Sequence, residues 1–299
     1  MNYLAVAHEL ERAGDFDEAM NLFEDETSRK LLIQIMTYRI LGAEHYRLPG
    51  NTPAYWDRRR AVTGHIIKRA VAENVPCFGT LDEFEYKGIR LIAHPLTILN
   101  TFFMEQYRCL RAGIGVRRGD VVIDGGACWG DSALYFAREA DRVFAFECVP
   151  FNIALFGKNM SSNPALAAKI ELIERALWDS SGKDLQFADA GSGSRAVDSG
   201  ATVQVETSTI DDLVRERNLD RIDFIKMDIE GAEVTALRGA EQTIRRFRPR
   251  LAICVYHSIA DFARIPAWIA GLDLGYRLYL DHFTIYGEET ICFATADER

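Results

Sequence analysis

Acidic residues end three apolar, strand-like runs in this sequence. Asp124 ends "VVID", Glu147 ends "RVFAFE", and Asp228 ends "IDFIKMD", where Lys226 stands two residues earlier. Ligands of mostly parallel sheets bind beyond the carboxyl ends of the strands. We therefore expect these side chains to lie near one another, at a ligand site along that edge.

The stretch "DGGACWGD", residues 124–131, follows the first of these runs. Gly125 and Gly126 allow a sharp turn and a close approach to a ligand, and the helix start near Gly130 offers N–H groups to an anion such as a carboxylate. The spacing differs from G-x-G-x-x-G, and the Gly-Lys-Ser/Thr of a phosphate-binding loop is absent from it. Alone, this turn is a weak signal.

Glu147 adds a second feature at an informative distance. It follows Asp124 by 23 positions (147 − 124), which suits an acid that accepts both ribose hydroxyls of a nucleoside. The alternative is a solvated residue before the helix predicted at Pro150. An acid that closes an apolar strand favours the ligand interpretation, and the pair indicates a cofactor that contains a nucleoside.

The run "IDFIKMDIEGAEVTALRGAE" places Lys226, Asp228 and Glu230 at one strand end, and Gly231 permits a turn into the next helix. Acids at a helix start interact favourably with the helix dipole, which explains Glu230 and Glu233. It does not explain Asp228, which lies within the apolar pattern of the strand. Asp228 is thus the stronger functional candidate.

The elements that must position these residues change character along the chain. Residues 1–75 place apolar side chains three and four apart, which predicts a helical extension that covers the following domain or joins two copies. Ser28 is a candidate cap for one of its helices and Gly42 a candidate stop. Residues 76–108 form a connecting segment, and residues 109–299 form the main domain. From Val121 onward, strand-like runs alternate with helical stretches, which predicts a mostly parallel sheet with helices on both faces.

Composition narrows the function classes. The chain has 299 residues, 48% of them hydrophobic, and a formal charge of −9. No apolar run approaches the roughly 20 residues of a membrane span, and the acidic start differs from a signal peptide, so we predict a cytoplasmic protein without a membrane partner. The negative charge argues against a nucleic-acid partner. Six cysteines without a CxxC pair argue against structural zinc and a disulfide framework.

Several segments, taken in order, resemble the FkbM family of S-adenosylmethionine-dependent methyltransferases. They are "VVIDGGACWGDSALYF", "VFAFECVPFN", "ERALWDSSG", "VETSTIDDL", "IDFIKMDIEGAEVTALRGAE" and "RLAICVYH". The similarity covers about residues 105–299, and "DETSRKLLIQIMTYRILG" resembles an amino-terminal extension of some members. The run Lys-x-Asp-x-Glu-Gly-x-Glu is the most distinctive match.

This resemblance implies a Rossmann-like class I methyltransferase fold with seven strands, mostly parallel, of which the last is antiparallel. It also implies a set of contacts to S-adenosylmethionine. Four residues would cradle the methionine end of the cofactor: Asp124, Gly125, Gly126 and Gly130. Glu147 would hold the ribose, Ala176 and Leu177 would line the adenine, and Asp228 would face the cofactor's amino group or the acceptor.

The implied reaction is methyl transfer to a hydroxyl of a small molecule, a sugar or a secondary-metabolite scaffold. The protein must align the acceptor oxygen with the methyl group and remove its proton. Candidate catalytic residues are His257, which ends "LAICVYH", together with Asp228 and Lys226. His282 is a weaker candidate base, and Tyr256 and Asp261 are weaker still.

A divalent metal bound by Asp228 and Glu230, with Glu233 as an additional candidate ligand, is a further hypothesis, because carboxylate oxygens suit hard cations. It is not favoured, since the helix dipole alone explains acids at that helix start and no complete ligand set is visible. Two alternatives to a methyltransferase stay open. One is a nicotinamide-dependent oxidoreductase, and the other is a non-catalytic, cofactor-binding interaction protein of the same fold. Trp129 either packs the helix on the sheet or walls the cofactor pocket.

Overall fold

The computed structural model describes residues 16–75, 78–188, 195–196 and 203–296. The strands are β1 Ile66–Val75, β2 Gly79–Tyr86, β3 Ile89–Ala93, β4 Val121–Gly125, β5 Arg142–Phe146, β6 Ile170–Ile173, β7 Ala176–Leu177, β8 Asp184–Ala188, β9 Arg195–Ala196, β10 Val203–Ser208, β11 Phe224–Met227, β12 Arg250–Cys254, β13 Arg277–His282 and β14 Thr290–Thr295. In these ranges, the structure contains no helix with both the length and the apolar character that a bilayer crossing requires.

The helices lie before, between and after these strands. They are α1 Phe16–Leu22, α2 Glu26–Leu41, α3 Pro53–Val62, α4 Pro95–Ile98, α5 Asp131–Ala137, α6 Pro150–Ser161, α7 Pro164–Ala167, α8 Ile210–Glu216, α9 Glu233–Arg238, α10 Glu241–Phe247 and α11 Asp261–Gly271. Short 3₁₀ turns at Thr63–His65 and Leu110–Ala112 and one π turn at Leu99–Phe103 complete the set.

Seven strands form the central sheet, in the order β13-β14-β12-β11-β4-β5-β6. All neighbouring pairs are parallel except those that involve β14, the last strand of the chain, which is antiparallel to β12 and β13. Every residue of β11 and β12 is buried, as expected for strands covered on both faces. The predicted seven-stranded Rossmann-like fold is confirmed.

The register of the sheet positions the functional strand ends. Asp124 of β4 pairs with Lys226 of β11 on one side and with Ala145 of β5 on the other. Glu147 follows the last residue of β5 directly. The side chains selected from the sequence therefore lie at one edge of the sheet, as predicted.

The helical prediction for residues 1–75 is wrong for its last ten residues. Ile66–Val75 is a strand that pairs antiparallel with β2, and β2 pairs with β3. The pairing is irregular: Ala70 has a φ of 50°, and its N–H donates to Asp82 at 2.9 Å. This segment is a strand because it pairs with residues later in the chain. The local sequence pattern does not show those pairing partners. The β1–β2 hairpin spans the predicted boundary at residues 75–76, and the division into domains stays a prediction.

Helix α2 docks on β13 at the far edge of the sheet. Its N-cap is Asp25, which accepts from the Ser28 N–H at 2.7 Å, so the expectation that Ser28 caps this helix is wrong. The buried Ser28 hydroxyl instead accepts from the N–H of Leu280 in β13 at 2.9 Å and from Arg111 at 3.0 Å. The predicted stop at Gly42 is confirmed, with a φ of 79°.

Two asparagines of the α6 region cover the free edge of β3. Asn159 accepts from the Ile92 N–H at 2.7 Å and donates to the Ile92 carbonyl at 3.1 Å. Asn163 accepts from the Arg90 N–H at 2.9 Å and donates to the Arg90 carbonyl at 2.5 Å. These side-chain amides take the place of a neighbouring strand and attach the small sheet to the main domain.

Candidate active site

The glycine turn after β4 is held by a buried ion pair. The Asp124 carboxylate lies 3.0 Å from Lys226 Nζ, and both side chains are almost fully excluded from solvent. Its other oxygen accepts from the Ser132 hydroxyl at 2.7 Å. A buried pair with these extra partners gives the turn one fixed geometry.

Lys226 also donates to the backbone of the turn. Its Nζ contacts the carbonyl oxygens of Gly125 at 3.0 Å and Gly126 at 2.7 Å. Burial alone would lower the pKa of Lys226, but the carboxylates of Asp124 and Asp228 outweigh it and hold the pKa above its usual range. The ammonium thus stays charged, and its donors are taken up in holding the turn.

Gly126 is required where two loops meet. Its φ is 75°, and a Cβ built there would lie 1.9 Å from the carbonyl oxygen of Asp228. No larger residue fits without moving the loop after β11. The glycine turn and the Asp228 loop therefore form one unit.

A cleft that we call the Glu147 cleft lies beside this turn and opens to solvent. Its walls include Gly126, Cys128, Phe146, Glu147, Val149, Asn152, Arg175, Ala176, Leu177, Asp228, Ile229 and Glu230. One Glu147 oxygen accepts from the N–H groups of Cys148 and Val149, each at 2.8 Å. Burial raises the pKa of Glu147 to about 6, although these N–H donors oppose the shift.

The structure divides the predicted cofactor-binding residues into two groups. Those that line the Glu147 cleft are Gly126, Glu147, Ala176, Leu177 and Asp228. Asp124, Gly125 and Gly130 are not among the lining residues. Asp124 is bound to Lys226 and Ser132, and Gly130 packs against Met160 and Phe156 of α6. Asp124, Gly125 and Gly130 thus stabilise the turn without lining the cleft.

A second cavity opens on the other side of Asp228, and we call it the Glu289 cavity. Its walls include Tyr55, Phe78, Asn100, Thr101, Gln106, Tyr107, Asp131, Lys226, Tyr256, Glu288 and Glu289. It shares Gly126, Cys128, Asp228 and Glu230 with the Glu147 cleft. The two spaces therefore meet at the end of β11.

Buried oxygens in the Glu289 cavity lack hydrogen-bond partners in the described part of the chain. They are Tyr55 Oη, Asn100 Oδ1, Gln106 Oε1 and Glu289 Oε2. The other Glu289 oxygen accepts from Asn100 at 3.2 Å, and burial, with the nearby charge of Asp228, raises the pKa of Glu289 to about 8. Unpaired buried acceptors are costly, so this cavity suits a ligand that supplies O–H or N–H donors.

Asp228 is oriented by two tyrosines. The Tyr256 hydroxyl donates to one carboxylate oxygen at 2.8 Å and the Tyr107 hydroxyl to the other at 3.2 Å. Burial would raise the pKa of Asp228, but Lys226, His257 and the Tyr256 hydroxyl outweigh it and lower the pKa. A fixed, ionised carboxylate thus lies where the two spaces meet.

His257 lies behind Asp228, among three carboxylates. Its Nδ1 is 3.0 Å from Glu233 Oε1, and its Nε2 is 3.4 Å from Asp228 Oδ1 and 3.5 Å from Glu230 Oε2. Burial would lower the pKa of His257, but these carboxylates raise it to about 9. His257 lines neither the Glu147 cleft nor the Glu289 cavity. It therefore contacts the site through Asp228 and Glu230.

The remaining sequence candidates lie at different places. His282 contacts the Thr290 hydroxyl at 2.8 Å between β13 and β14, and burial lowers its pKa to about 4. Asp261 begins α11, and Tyr256 contacts Asp228 directly. Trp129 is fully buried, donates to Asn152 at 3.0 Å and packs edge-on against Phe78. Trp129 is thus a packing residue of the turn.

Several polar residues of the Glu289 cavity were not found from the sequence. Tyr55, Asn100 and Tyr107 come from segments before the main sheet, and Glu289 comes from the turn before β14. No short motif joins these positions. The nearest available signal was Glu289 itself, a carboxylate that directly precedes the apolar run "TICFAT".

Comparison with known proteins places this site in a family. The model of the methyltransferase FkbM domain matches residues 117–278, which is more than half of the chain. A search of curated proteins finds no match.

Two solved structures are similar to this chain to different degrees. A methyltransferase FkbM from Methylobacillus flagellatus KT superposes with a TM-score of 0.60 at 16% identity, over 93% of this chain and 57% of that one. This chain thus spans little more than half the length of that protein, and at such identity the likeness concerns the fold alone. An rRNA methylase from Streptococcus thermophilus gives a TM-score of 0.42 at 15% identity, over 70% of this chain and 99% of that one.

Proposed function

The chain belongs to the FkbM methyltransferase family, and we propose that it transfers a methyl group from S-adenosylmethionine to a hydroxyl of a small polar molecule. The observation that carries this proposal is the meeting of two spaces at Asp228. One is a cleft with a carboxylate at the nucleoside position, and the other is a polar cavity with unpaired hydrogen-bond acceptors. Such a junction is what a donor and an acceptor require.

The residues that line the Glu147 cleft support cofactor binding there. Glu147 supplies a buried carboxylate for the two ribose hydroxyls, held in place by the N–H groups of Cys148 and Val149 and by Asn152. Ala176 and Leu177 provide apolar surface for the adenine, and the turn at Gly126 receives the methionine end. When bound, S-adenosylmethionine supplies an activated methyl group. The chain's own task is then to place an acceptor oxygen in line with it.

Asp228 is the residue that we place at the reacting centre. The tyrosines that hold its two oxygens leave the carboxylate fixed and ionised, so it can orient an acceptor hydroxyl or the cofactor's amino group. Lys226 acts as a positioning residue, because its donors fix the turn. His257 acts on the acceptor only through its neighbours, because it lines neither space.

The Glu289 cavity supports a small acceptor with several hydroxyl groups. Its unpaired oxygens would each hydrogen-bond to such a group, and among the described residues that line it Lys226 is the sole Lys or Arg. These features favour a sugar or a hydroxylated secondary-metabolite scaffold. They do not favour nucleic acid, whose phosphates need clustered cations.

Titration calorimetry with S-adenosylhomocysteine is the first experiment, followed by transfer of labelled methyl to a panel of sugars and crude metabolite extracts. We expect saturable binding, no binding of NADH, and label on a hydroxylated acceptor. Binding of NADH without binding of S-adenosylhomocysteine would overturn the proposal. Cofactor binding with no transfer to any acceptor would instead support a non-catalytic protein of this fold.

A further inference from the structure

Glu289 lies at the same edge of the sheet as Asp228, although it precedes a strand instead of following one. Because β14 is antiparallel to β12, the start of β14 lies beside the carboxyl end of β12. The N–H of Val255, directly after β12, donates to the Thr290 carbonyl at 3.0 Å. Continuation of this register places Glu289 beside Tyr256, whose hydroxyl binds Asp228.

The Glu289 carboxyl has one held oxygen and one open oxygen. Asn100 donates to Oε1 at 3.2 Å, and the backbone carbonyl of Glu289 accepts from the Phe283 N–H at 3.1 Å. The φ of Glu289 is 62°, which is uncommon outside glycine and persists where surrounding contacts fix it. Oε2 is buried and has no hydrogen-bond partner among the described residues. The side chain is therefore held in place, and one oxygen is left for a ligand of the cavity that it lines.

The titratable groups around Asp228 are poor proton acceptors. Against the effect of burial, Lys226 and His257 lower the pKa of Asp228, and both of its oxygens accept from tyrosine hydroxyls. Burial would lower the pKa values of Lys226 and His257, but neighbouring carboxylates raise them, so both groups are protonated at neutral pH. Burial raises the pKa values of Tyr107 and Tyr256 well above the usual range, so both phenols keep their protons. A bound acceptor hydroxyl must therefore give its proton to another group.

The other acids that line the Glu289 cavity suit this task less well than Glu289 itself. Glu230 is paired with the imidazolium, Glu288 is exposed, and Asp131 accepts from the Thr101 hydroxyl at 2.6 Å. Burial raises the pKa of Asp131 to about 6 and that of Glu289 to about 8. A general base is most effective when its pKa lies near the working pH. Glu289 combines such a pKa with an open, buried oxygen.

Neighbours from several elements set the proton affinity of Glu289. Burial is the largest cause of its raised pKa, and the carboxylates of Asp228 and Glu288 add to it. The imidazolium of His257 and the amide of Asn100 act in the opposite direction, because they stabilise the ionised carboxylate. Protonation of Glu289 should therefore respond to changes at each of these positions. The uncharged groups that its negative charge affects are Tyr55, Tyr107, Cys254 and Tyr256.

We propose that Glu289 is the general base of the methyl transfer, with Oε2 as the atom that takes the proton of the acceptor hydroxyl. The acceptor oxygen forms its bond to the methyl carbon while the C–S bond breaks, and the electron pair of that bond stays on sulfur. The hydroxyl proton moves to Oε2, and the neutral carboxyl later releases it to water. This assignment rests on the proposed function, and it differs from the sequence-based expectation that His257 is the base.

The first test is the pH profile of methyl transfer to the acceptor found in the screen. The base must be ionised, so kcat should rise about tenfold per pH unit below a pH of about 8 and level off above it. A rise through a pH of about 6 would instead assign the proton to Asp131 and overturn the proposal.

Substitutions at Glu289 and its neighbour form the second test. Glu289→Gln should lower kcat by about 10²- to 10⁴-fold, and S-adenosylhomocysteine should bind as to the wild type because Glu289 does not line the Glu147 cleft. Glu289→Asp keeps a carboxyl, so its kcat should exceed that of Glu289→Gln by at least about tenfold. Glu288→Gln is the matched control, which removes a charge that raises the pKa of Glu289. Its kcat should also exceed that of Glu289→Gln by at least about tenfold, with the midpoint of the pH profile moved down.

Infrared difference spectroscopy gives a readout that needs no acceptor. Between about pH 7 and about pH 9.5 the wild type should lose one band of a protonated carboxyl, and Glu289→Gln should lack this change. Asn100→Ala removes the donor to Oε1, so the same band should disappear at higher pH.

The results separate this proposal from the proposed function. If the wild type transfers methyl and Glu289→Gln keeps kcat within about threefold, Glu289 is not the base and the proposed function stands. A wild type without a carboxyl that titrates in this range overturns the base as well, whether or not the variants fold. If the wild type neither binds S-adenosylhomocysteine nor transfers methyl, the proposed function is overturned, and the base with it.

Discussion

The Glu147 cleft and the Glu289 cavity lie on either side of Asp228 but are built in different ways. The cleft takes its walls from residues at or just after the strand ends of β4, β5, β6 and β11. The Glu289 cavity collects Tyr55 from α3, Asn100 from the π turn, Tyr107 from the following loop and Glu289 from the turn before β14. The strand ends of the sheet thus form the Glu147 cleft, and segments attached to the sheet form the Glu289 cavity.

This difference suggests how the molecule separates its tasks. The positions of residues at strand ends, as in the Glu147 cleft, are fixed by the register of the sheet. An acceptor site made of loops and an amino-terminal segment can change without moving the sheet. Substitutions should therefore distinguish the two regions, and four predictions follow the order of their expected size.

The largest effect should come from Lys226, whose ammonium holds the turn between the two regions. Lys226→Met leaves the buried Asp124 carboxylate without its cation, and breaking a buried pair costs about 3–5 kcal/mol of the free energy of unfolding. Urea denaturation measures the loss. Lys169→Met is the control, because Lys169 also donates to two carbonyls, Ala137 and Ala140, and should cost only about 1–2 kcal/mol. Equal losses would show that the pair with Asp124 contributes little.

The second effect concerns the Glu147 cleft alone. Glu147→Ala removes the acceptor of the ribose hydroxyls and should cost about 2–4 kcal/mol of S-adenosylhomocysteine binding, a loss of about 30- to 1000-fold. Calorimetry measures it. Glu174→Ala removes an exposed acid just after β6 that does not line the cleft, and it should bind as the wild type does. A Glu147→Ala affinity within about threefold of wild type contradicts the ribose assignment.

The third effect is the pH dependence of cofactor binding. The pKa of Glu147 is raised to about 6, and the ionised form accepts ribose hydroxyls more strongly. Affinity should therefore fall as the pH drops through about 6, by about tenfold between about pH 7.5 and about pH 5. Glu147→Gln should bind more weakly at neutral pH and show a flatter profile. An unchanged slope in that variant would assign the titration to another group.

The smallest effect concerns the Glu289 cavity. Tyr55→Phe removes a buried hydroxyl that lacks a partner among the described residues, so the free energy of unfolding should stay equal or rise. The KM for the acceptor found in the screen should rise about two- to tenfold, while S-adenosylhomocysteine affinity stays constant. Thermal unfolding and steady-state kinetics measure these changes. A drop in stability with an unchanged KM would assign Tyr55 to packing.

The same contrast explains how much the sequence could predict. In the runs that end in Asp124, Glu147 and Asp228, the apolar strand and the acidic residue at its end are adjacent in the sequence. The local sequence pattern was therefore sufficient to predict the sheet and the residues near the Glu147 cleft. It did not separate Gly126, which lines the cleft, from Asp124, which supports the turn from behind. That distinction depends on the direction of the Asp124 side chain, which points to Lys226 on the neighbouring strand β11.

Two other features depend on partners far along the chain. Ile66–Val75 has apolar spacing that suits a helix, and pairing with Gly79–Tyr86 makes it a strand. His257, which lies beyond the next strand, contacts Asp228 and Glu230 of one loop and Glu233 at the start of α9. Local periodicity does not encode such contacts, which is why the acceptor side was largely missed.

The asparagines that cover β3 carry a consequence for the behaviour of the chain in solution. An open strand edge is a template on which another molecule can add a strand, and the amides of Asn159 and Asn163 occupy that edge at Ile92 and Arg90. These two side chains thus protect the chain from edge-to-edge self-association, in addition to attaching the small sheet to the main domain.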